Sequence, residues 1–144
     1  MKPDDITAAD MWRVFDVNVF GIVRMTHAFL PLLRASAAPV IVNVSSGLGS
    51  FGVVTDPASH EFGFSVPAYG SSKAAVGMLT VQYAKGLPEL RINAVEPGFT
   101  ATDLNGNSGH QTVEEGTDAI VALATIGPDG PTGTFSGRTG SLPW

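Results

Sequence analysis

The sequence predicts an α/β fold in which a short parallel sheet of about three strands is flanked by helices. The run Val40–Val44 is rich in β-branched residues and lacks polar alternation, which predicts a strand covered on both faces. A second short strand is predicted at Arg91–Val95. Helical patterns precede, separate and follow these strands, and such alternation is typical of a parallel sheet. Because no repeat or linker interrupts the chain, residues 1–144 are expected to form one domain.

The first helix is predicted from residue 8 to about residue 34. Thr7 is positioned to cap this helix, and Asp10 suits its first turn. Apolar residues then recur at steps of three or four, at Met11, Val14, Phe15, Ile22, Met25 and Phe29. Pro31 is expected to kink the helix or to end it early, because proline removes a backbone donor.

Residues 45–67 are rich in glycine and serine and are predicted to form a long loop. A loop of this length is unusual in a compact domain, which suggests a functional role. Good helix formers return over residues 68–85, ahead of the second strand. A further helix is predicted over residues 113–125, and a last short strand at about 134–136.

The composition argues against several classes of partner. The chain of 144 residues has a net charge of −5, and its 8 Lys and Arg residues are scattered, so no basic stripe could neutralise the phosphates of a nucleic acid. No apolar stretch is long enough to cross a membrane, and no secretion signal is recognisable. The chain contains no cysteine, which fits a reducing compartment. A cytoplasmic protein without nucleic-acid or membrane partners is therefore expected.

Tyr69 and Lys73 are four residues apart on a predicted helix, so their side chains are expected on one face about one turn apart. A nearby ammonium favours the phenolate and lowers the pKa of a tyrosine, which would make Tyr69 a usable general acid or base. Pairs of this kind also occur by chance on solvated helices. Neighbouring motifs therefore decide how the pair is interpreted.

Two further polar residues are candidates for a site. Ser45 and Ser46 directly follow the first strand, where ligands bind in open parallel sheets, although the pair also fits a turn that ends a strand. Asn18 falls within the apolar stripe of the first helix, where a buried amide needs hydrogen-bond partners. It could serve a functional site or bond to a break in the helical backbone.

Four segments together resemble the motifs of the short-chain dehydrogenase/reductase family, in the family's order. They are Val-Asn-Val-Phe-Gly around Asn18, Ile-Val-Asn-Val-Ser-Ser at 41–46, Tyr-Gly-Ser-Ser-Lys at 69–73 and Asn-Ala-Val-Glu-Pro-Gly at 93–98. The resemblance covers essentially the whole chain and implies a partial Rossmann-like, doubly wound fold. Residues 1–144 would be the C-terminal part of such a domain.

The resemblance also implies a role for each matching residue. Tyr69 would be the acid/base, Ser46 would orient the substrate oxygen, Lys73 would bind the nicotinamide ribose and tune Tyr69, and Asn18 would hold a proton-relay water. Cofactor contacts are implied for Tyr69, Lys73, Pro97, Gly98, Phe99, Thr100 and Thr102, with Phe99 acting through its backbone. The implied cofactor is NAD or NADP, and the implied substrate is a small carbonyl compound or secondary alcohol.

The sequence departs from the family pattern in two ways. Ser46 and Tyr69 are about ten positions farther apart than in common members, so residues 52–64 are interpreted as an insertion beside the site. The family's opening strand and its Gly-rich turn have no counterpart here. Binding of NAD or NADP is therefore expected to be weak.

Two other patterns are not expected to form sites. Gly47, Gly49 and Gly52 match the Gly-x-Gly-x-x-Gly pattern, but the following residues 53–57 are not expected to open a helix, so these glycines are interpreted as shaping a loop. The three histidines, His27, His60 and His110, lack the spacing of metal ligands. No metal site is predicted.

Two functions therefore remain open. The first is an NAD(P)-dependent oxidoreductase, for which Tyr69, Lys73 and Ser46 should converge on one cleft, with the Tyr69 and Ser46 hydroxyls within about 6 Å. The second is a catalytically inactive remnant that acts as an oligomerisation or interaction module. In either case the bare edge of strand 40–44 leads us to expect association, as a homo-oligomer, rather than a stable monomer.

Overall fold

The computed structural model describes residues 2–144 and shows an α/β fold built on a four-stranded sheet. The helices are α1 (Ala8–Phe15), α2 (Gly21–Ala35), α3 (Phe51–Val54), α4 (Pro67–Gly86) and α5 (Val113–Ala124). The strands are β1 (Val40–Val44), β2 (Arg91–Val95), β3 (Phe135–Gly137) and β4 (Gly140–Ser141). A π-helical segment, Asp16–Phe20, joins α1 to α2, and short 3₁₀ turns cover 47–49, 61–63 and 103–105. The predicted fold class is confirmed.

The sheet has the order β1-β2-β3-β4 and is parallel through its first three strands. Strand β4 adds an antiparallel pair to β3, with Ser136 opposite Ser141. The sequence did not predict this hairpin strand, because its two residues are too few to show a pattern. Gly140, with φ of 126°, adopts a backbone conformation at the turn that other residues rarely reach.

Strand β1 is covered on both faces as expected, since Ile41 packs against the core on one side and Val42 on the other, but the expectation of a buried strand is wrong. Of its five residues only Asn43 is buried, and Val44 is 41% exposed. Strand β2 has the more protected position, with four of its five residues buried. The reason is position in the sheet, since β1 lies at one edge whereas β2 is paired on both sides.

The core lies on the two faces of β2. On the α4 side, Ile92 packs with Leu90 and Ala84. On the α5 side, Val95 packs with Ala119 and Leu123. Because successive strand residues point to opposite faces, one short strand connects both helical layers.

The helical segment at the N-terminus begins as predicted and ends one residue beyond its predicted limit. Thr7 and Asp10 form reciprocal capping hydrogen bonds at the start of α1. Early termination at Pro31 is wrong, since α2 continues through this proline to Ala35. The proline leaves only one helical carbonyl without its partner, at His27, and this residue is exposed, so water can replace the missing bond.

The predicted long loop at residues 45–67 is more ordered than expected. This segment contains two 3₁₀ turns and the one-turn helix α3, so residues 53–57 do not exclude a helix at this position. Serine hydroxyls cap these turns: Ser46 Oγ accepts from the amide of Leu48 at 3.2 Å, and Ser50 Oγ accepts from the amide of Val53 at 3.0 Å. Such local bonds account for order in a serine-rich segment.

The last residue fastens the segment that follows β1. The Trp144 ring stacks on Phe135 with centroids 5.3 Å apart, and its carbonyl accepts from the amide of Gly52 at 3.0 Å. The Ser50 hydroxyl donates to the carbonyl of Pro143 at 2.7 Å. The C-terminal residues thereby hold the start of α3 against the domain.

Candidate active site

Helix α4 places Tyr69 and Lys73 on one face, as their spacing predicts. The Lys73 ammonium lies 5.6 Å from the centroid of the Tyr69 ring. It donates to the carbonyl of Val44 at 2.8 Å, at the end of β1. Burial lowers the pKa of Lys73 below its ordinary value. A half-buried cation therefore stands beside the phenol ring.

The serine pair lies where β1 ends, at the carboxyl edge of the parallel strands. The Ser45 hydroxyl is buried and donates to the carbonyl of Lys73 at 3.1 Å, which ties the strand end to α4. Ser46 is only half-buried and faces an open cleft. The two serines thus differ: Ser45 holds two elements together, and Ser46 remains accessible to a ligand.

The cleft has a volume of about 530 Å³ and lies between α4, the end of β2 and the start of α5. It brings together most of the residues predicted for the site, namely Ser46, Tyr69, Pro97, Gly98, Phe99, Thr100 and Thr102. Lys73 and Asn18 are not part of its lining. Lys73 remains next to the cleft through its approach to Tyr69.

Asn18 lies in the π-helical segment between α1 and α2. Its amide nitrogen donates to the Ser72 hydroxyl at 3.0 Å, and this hydroxyl donates to the carbonyl of Tyr69 at 2.7 Å. π-helical turns often mark functional sites. Asn18 thus reaches Tyr69 through one intermediate hydroxyl on α4 and has no direct contact with the cleft.

The loop after β2 is held open by two amides that sequence reasoning missed. Gln111 Nε2 donates to the carbonyl of Pro97 at 2.8 Å, and Asn105 Nδ2 donates to the carbonyl of Thr100 at 2.8 Å. Gly98 has φ of 76°, and a side chain there would begin 2.5 Å from Gln111 Oε1. Glycine is therefore required at this position. No local pattern points to these amides, because each bonds across a folded loop.

Two carboxylates in the cleft were also not predicted. Glu61, from the segment interpreted as an insertion, and Glu96, at the end of β2, both line it. Burial raises the pKa of Glu96 above its ordinary value, the amide of Gly47 opposes this shift, and the Glu61 carboxylate adds to it. The only available sequence signal was that Glu96 directly precedes Pro97-Gly98.

Close packing accounts for the three glycines of the Gly-x-Gly-x-x-Gly match. A side chain on Gly49 would begin 2.5 Å from the backbone of Lys73, and one on Gly52 would begin 2.7 Å from Pro143. At Gly47 it would meet the carboxylates of Glu61 and Glu96. These glycines let the segment approach α4 and the C-terminal residues.

Neither a metal cluster nor a membrane span was found in the part of the chain that the structure describes. Within residues 2–144, no group of three or more His, Asp or Glu side chains is placed to hold a metal ion. Over the same residues, no helix combines the length and apolar character needed to cross a bilayer.

A model of the short chain dehydrogenase family matches residues 2–113. The chain belongs to this family. Among curated members, a short-chain dehydrogenase named anuI from Penicillium roqueforti is 43% identical over 120 residues, which cover 79% of this chain and 48% of that protein. A (+)-neomenthol dehydrogenase from Capsicum annuum is 31% identical over 92% of this chain and 53% of its own length.

Solved structures of the family show the same fold. An NADPH-bound carbonyl reductase from chicken fatty liver superposes with a TM-score of 0.86 at 26% identity, over 100% of this chain and 61% of that one. The chain therefore spans about half the length of the curated relatives described above.

Proposed function

We propose that this chain carries the substrate-binding and proton-transfer half of a nicotinamide-dependent oxidoreductase that interconverts a small carbonyl compound and a secondary alcohol. The observation that carries the proposal is the cleft that Ser46 and Tyr69 share, with the Lys73 ammonium beside the tyrosine ring. A tyrosine hydroxyl with an ammonium beside its ring can act as a general acid or base that exchanges a proton with a carbonyl oxygen. Family membership and the activities of the relatives named above support the same reaction class.

The cleft fits the nicotinamide end of a dinucleotide cofactor. Residues 97–102 form one wall through a loop that is held open by side-chain amides, and Phe99 offers an aromatic face. The wall contains no lysine or arginine within the part of the chain described, so it has no cationic side chain to balance a pyrophosphate. We therefore propose that this wall contacts only the nicotinamide end of the cofactor, which is either NAD or NADP. The contacts are those implied by the family resemblance, at Pro97, Gly98, Phe99, Thr100 and Thr102.

When bound, the reduced nicotinamide supplies the hydride. Tyr69 would donate the proton to the carbonyl oxygen, and Ser46 would orient that oxygen with its hydroxyl. Lys73 holds a positive charge 5.6 Å from the phenol ring, which stabilises the phenolate left after proton transfer. Asn18 would act indirectly, by positioning Tyr69. Its amide donates to the Ser72 hydroxyl, which in turn donates to the carbonyl of Tyr69.

Reduction of carbonyl compounds by the 144-residue chain at saturating NADH or NADPH tests this proposal. Replacing a general acid is expected to slow turnover by roughly 10²- to 10⁴-fold, so Tyr69→Phe should lose most of the activity. Tyr83→Phe, on the same helix, is the matched control and should retain it. Activity that survives Tyr69→Phe, or no turnover with either cofactor, would contradict the enzymatic role.

Cofactor affinity is a separate readout of the same chain. Because the 97–102 wall has no cationic side chain for the pyrophosphate, we expect NAD(H) and NADP(H) to bind weakly, and calorimetric titration measures this directly. A submicromolar dissociation constant for either cofactor would contradict the expectation. The expected cytoplasmic location is tested by cell fractionation.

The alternative function, an oligomerisation module without activity, is favoured by exposed apolar side chains on the N-terminal helices. Trp12, Val17 and Leu32 are 62%, 72% and 67% exposed. Large apolar patches are rare on monomers, so an association that covers these side chains is the basis of the alternative. Homo-oligomerisation without any Tyr69-dependent turnover would favour this function over the enzymatic one.

A further inference from the structure

The cleft contains two carboxylates that nothing in the proposed proton transfer uses. Glu61 and Glu96 approach one point from different elements: a side chain on Gly47 would begin 3.1 Å from Glu61 Oε1 and 3.1 Å from Glu96 Oε1. Gly47 directly follows Ser46, so this point lies next to the hydroxyl proposed to orient the substrate. The carboxylates therefore border the reacting end of the cleft.

Neither carboxylate is neutralised by a cation of the described chain. The ion pairs found among residues 2–144 involve Arg13, Arg24, Arg34 and Arg138, and none includes Glu61 or Glu96. Lysine and arginine are absent from the described lining. His60, which also lines the cleft, packs its ring edge-on against Phe64 with centroids 5.0 Å apart.

Grouping like charges in a half-buried site is unfavourable unless something opposes them. A protonated amine entering the cleft would relieve the repulsion between Glu61 and Glu96. The aromatic faces of Phe64, Tyr69 and Phe99, which line the same cleft, also attract cations. The apolar lining that remains suits the carbon skeleton of an organic amine better than a hydrated metal ion.

We propose that the substrate of this cleft is a carbonyl compound or secondary alcohol that also carries a protonated amine, recognised by Glu61 and Glu96. The inference rests on the proposed function for the reacting group and adds the substrate class. Glu61 belongs to segment 52–64, which the family resemblance marks as an insertion relative to common members. This segment would therefore determine substrate specificity. Its carboxylate completes a pair whose other member, Glu96, is fixed at the end of β2.

A matched pair of probes tests the inference without cofactor. Para-(dimethylaminomethyl)acetophenone carries a tertiary amine that is protonated at neutral pH, and para-isobutylacetophenone has the same shape with carbon in place of nitrogen. Calorimetry or ligand-observed NMR measures binding of each probe to the 144-residue chain. The amine should bind more tightly, and this preference should fall by roughly 3- to 10-fold in a Glu61→Gln/Glu96→Gln double variant.

Controls separate the inference from its alternatives. Glu114→Gln removes an exposed carboxylate of α5 that does not line the cleft and should leave the preference unchanged. The single variant Glu61→Gln repeats the test if the double variant does not fold. Equal binding of the two probes to the wild type, binding of neither, or a preference that persists in the double variant would overturn the inference.

The positive ring of an oxidised nicotinamide is the competing explanation for the carboxylates. In that case the double variant would weaken NAD(P)⁺ relative to NAD(P)H and leave the amine preference intact, which overturns the proposal. The Tyr69→Phe assay reports on the proposed reaction independently. Selective binding of the amine probe without turnover would therefore contradict the proposed reaction but support the recognition of a protonated amine by Glu61 and Glu96.

Discussion

The Lys73 ammonium donates a 2.8 Å hydrogen bond to the carbonyl of Val44, the last residue of edge strand β1. This bond joins α4 to the end of the strand from which Ser46 continues. It also fixes the cation beside Tyr69 without a carboxylate partner. Because no carboxylate offsets the cost of burial, the pKa of Lys73 is lowered, and its effect on stability can be measured.

The pH dependence of stability should report this half-buried ammonium. Burial lowers the pKa of Lys73, so between that lowered pKa and the ordinary value of 10.5 the unfolded chain binds the proton more fully than the native chain. The free energy of unfolding should therefore rise with pH across this alkaline interval, and Lys73→Met should lose that rise. Urea unfolding at several alkaline pH values measures it. Lys85→Met, at an exposed position of the same helix, is the control and should behave like the wild type.

Glu96 should show the opposite sign. Its folded-state pKa is raised by burial and by Glu61, so the native chain holds the proton more tightly than the unfolded chain. Stability should be lost as pH rises from the ordinary value of 4.5 through the raised value, and Glu96→Gln should lack this loss. The variant is expected to unfold at higher urea than the wild type near neutral pH, with the difference vanishing in acid. A difference that is independent of pH would contradict this account.

A pair of substitutions tests the contact between α4 and the C-terminal residue. A side chain on Gly77 would begin 3.0 Å from Cζ3 of the Trp144 ring, which is tighter than an ordinary contact. Gly77→Ala should therefore destabilise the wild-type chain. In a Trp144→Ala background the clash is gone, and the same change should stabilise the helix by roughly 0.5–1 kcal/mol, because alanine orders the backbone at less entropic cost.

Thermal or urea unfolding of the four chains completes this double-mutant cycle. Gly86→Ala is the control, since no neighbour lies within 4 Å of a side chain added at that position. The Gly86 change should have the same effect whether or not Trp144 is present. Equal effects of Gly77→Ala in the two backgrounds would show that the ring does not constrain this helix.

Self-association is the fourth prediction. Light scattering or sedimentation at micromolar concentration should show species larger than 14.9 kDa. A Val17→Glu/Leu32→Glu double variant places charge on the exposed N-terminal helices and should shift the distribution towards monomer. Leu104→Glu, at another exposed leucine, should not. A cooperatively melting wild-type monomer would refute the expectation of association.

Several elements follow from local chemistry and were predictable from the sequence. Strands β1 and β2 match their predicted bounds, and α4 begins and ends one residue outside its prediction. The Thr7 cap formed as expected. Each of these depends on side chains within a few positions of one another, through period, propensity or capping. The motifs that contain Ser46, Tyr69 and the 97–102 loop were also recognisable from residues close together in the sequence.

Other features depended on contacts between distant parts of the chain, which no local pattern records. The order within residues 45–67 rests partly on Pro143 and Trp144, far along the chain. The partner of Asn18 is Ser72, and the loop after β2 is held by Gln111. The sequence by itself thus determined the fold class, the family motifs and the candidate hydroxyls and ammonium. Only the tertiary structure placed Glu61 beside Glu96, because the chain must fold back before two carboxylates so far apart in sequence can share one charged environment.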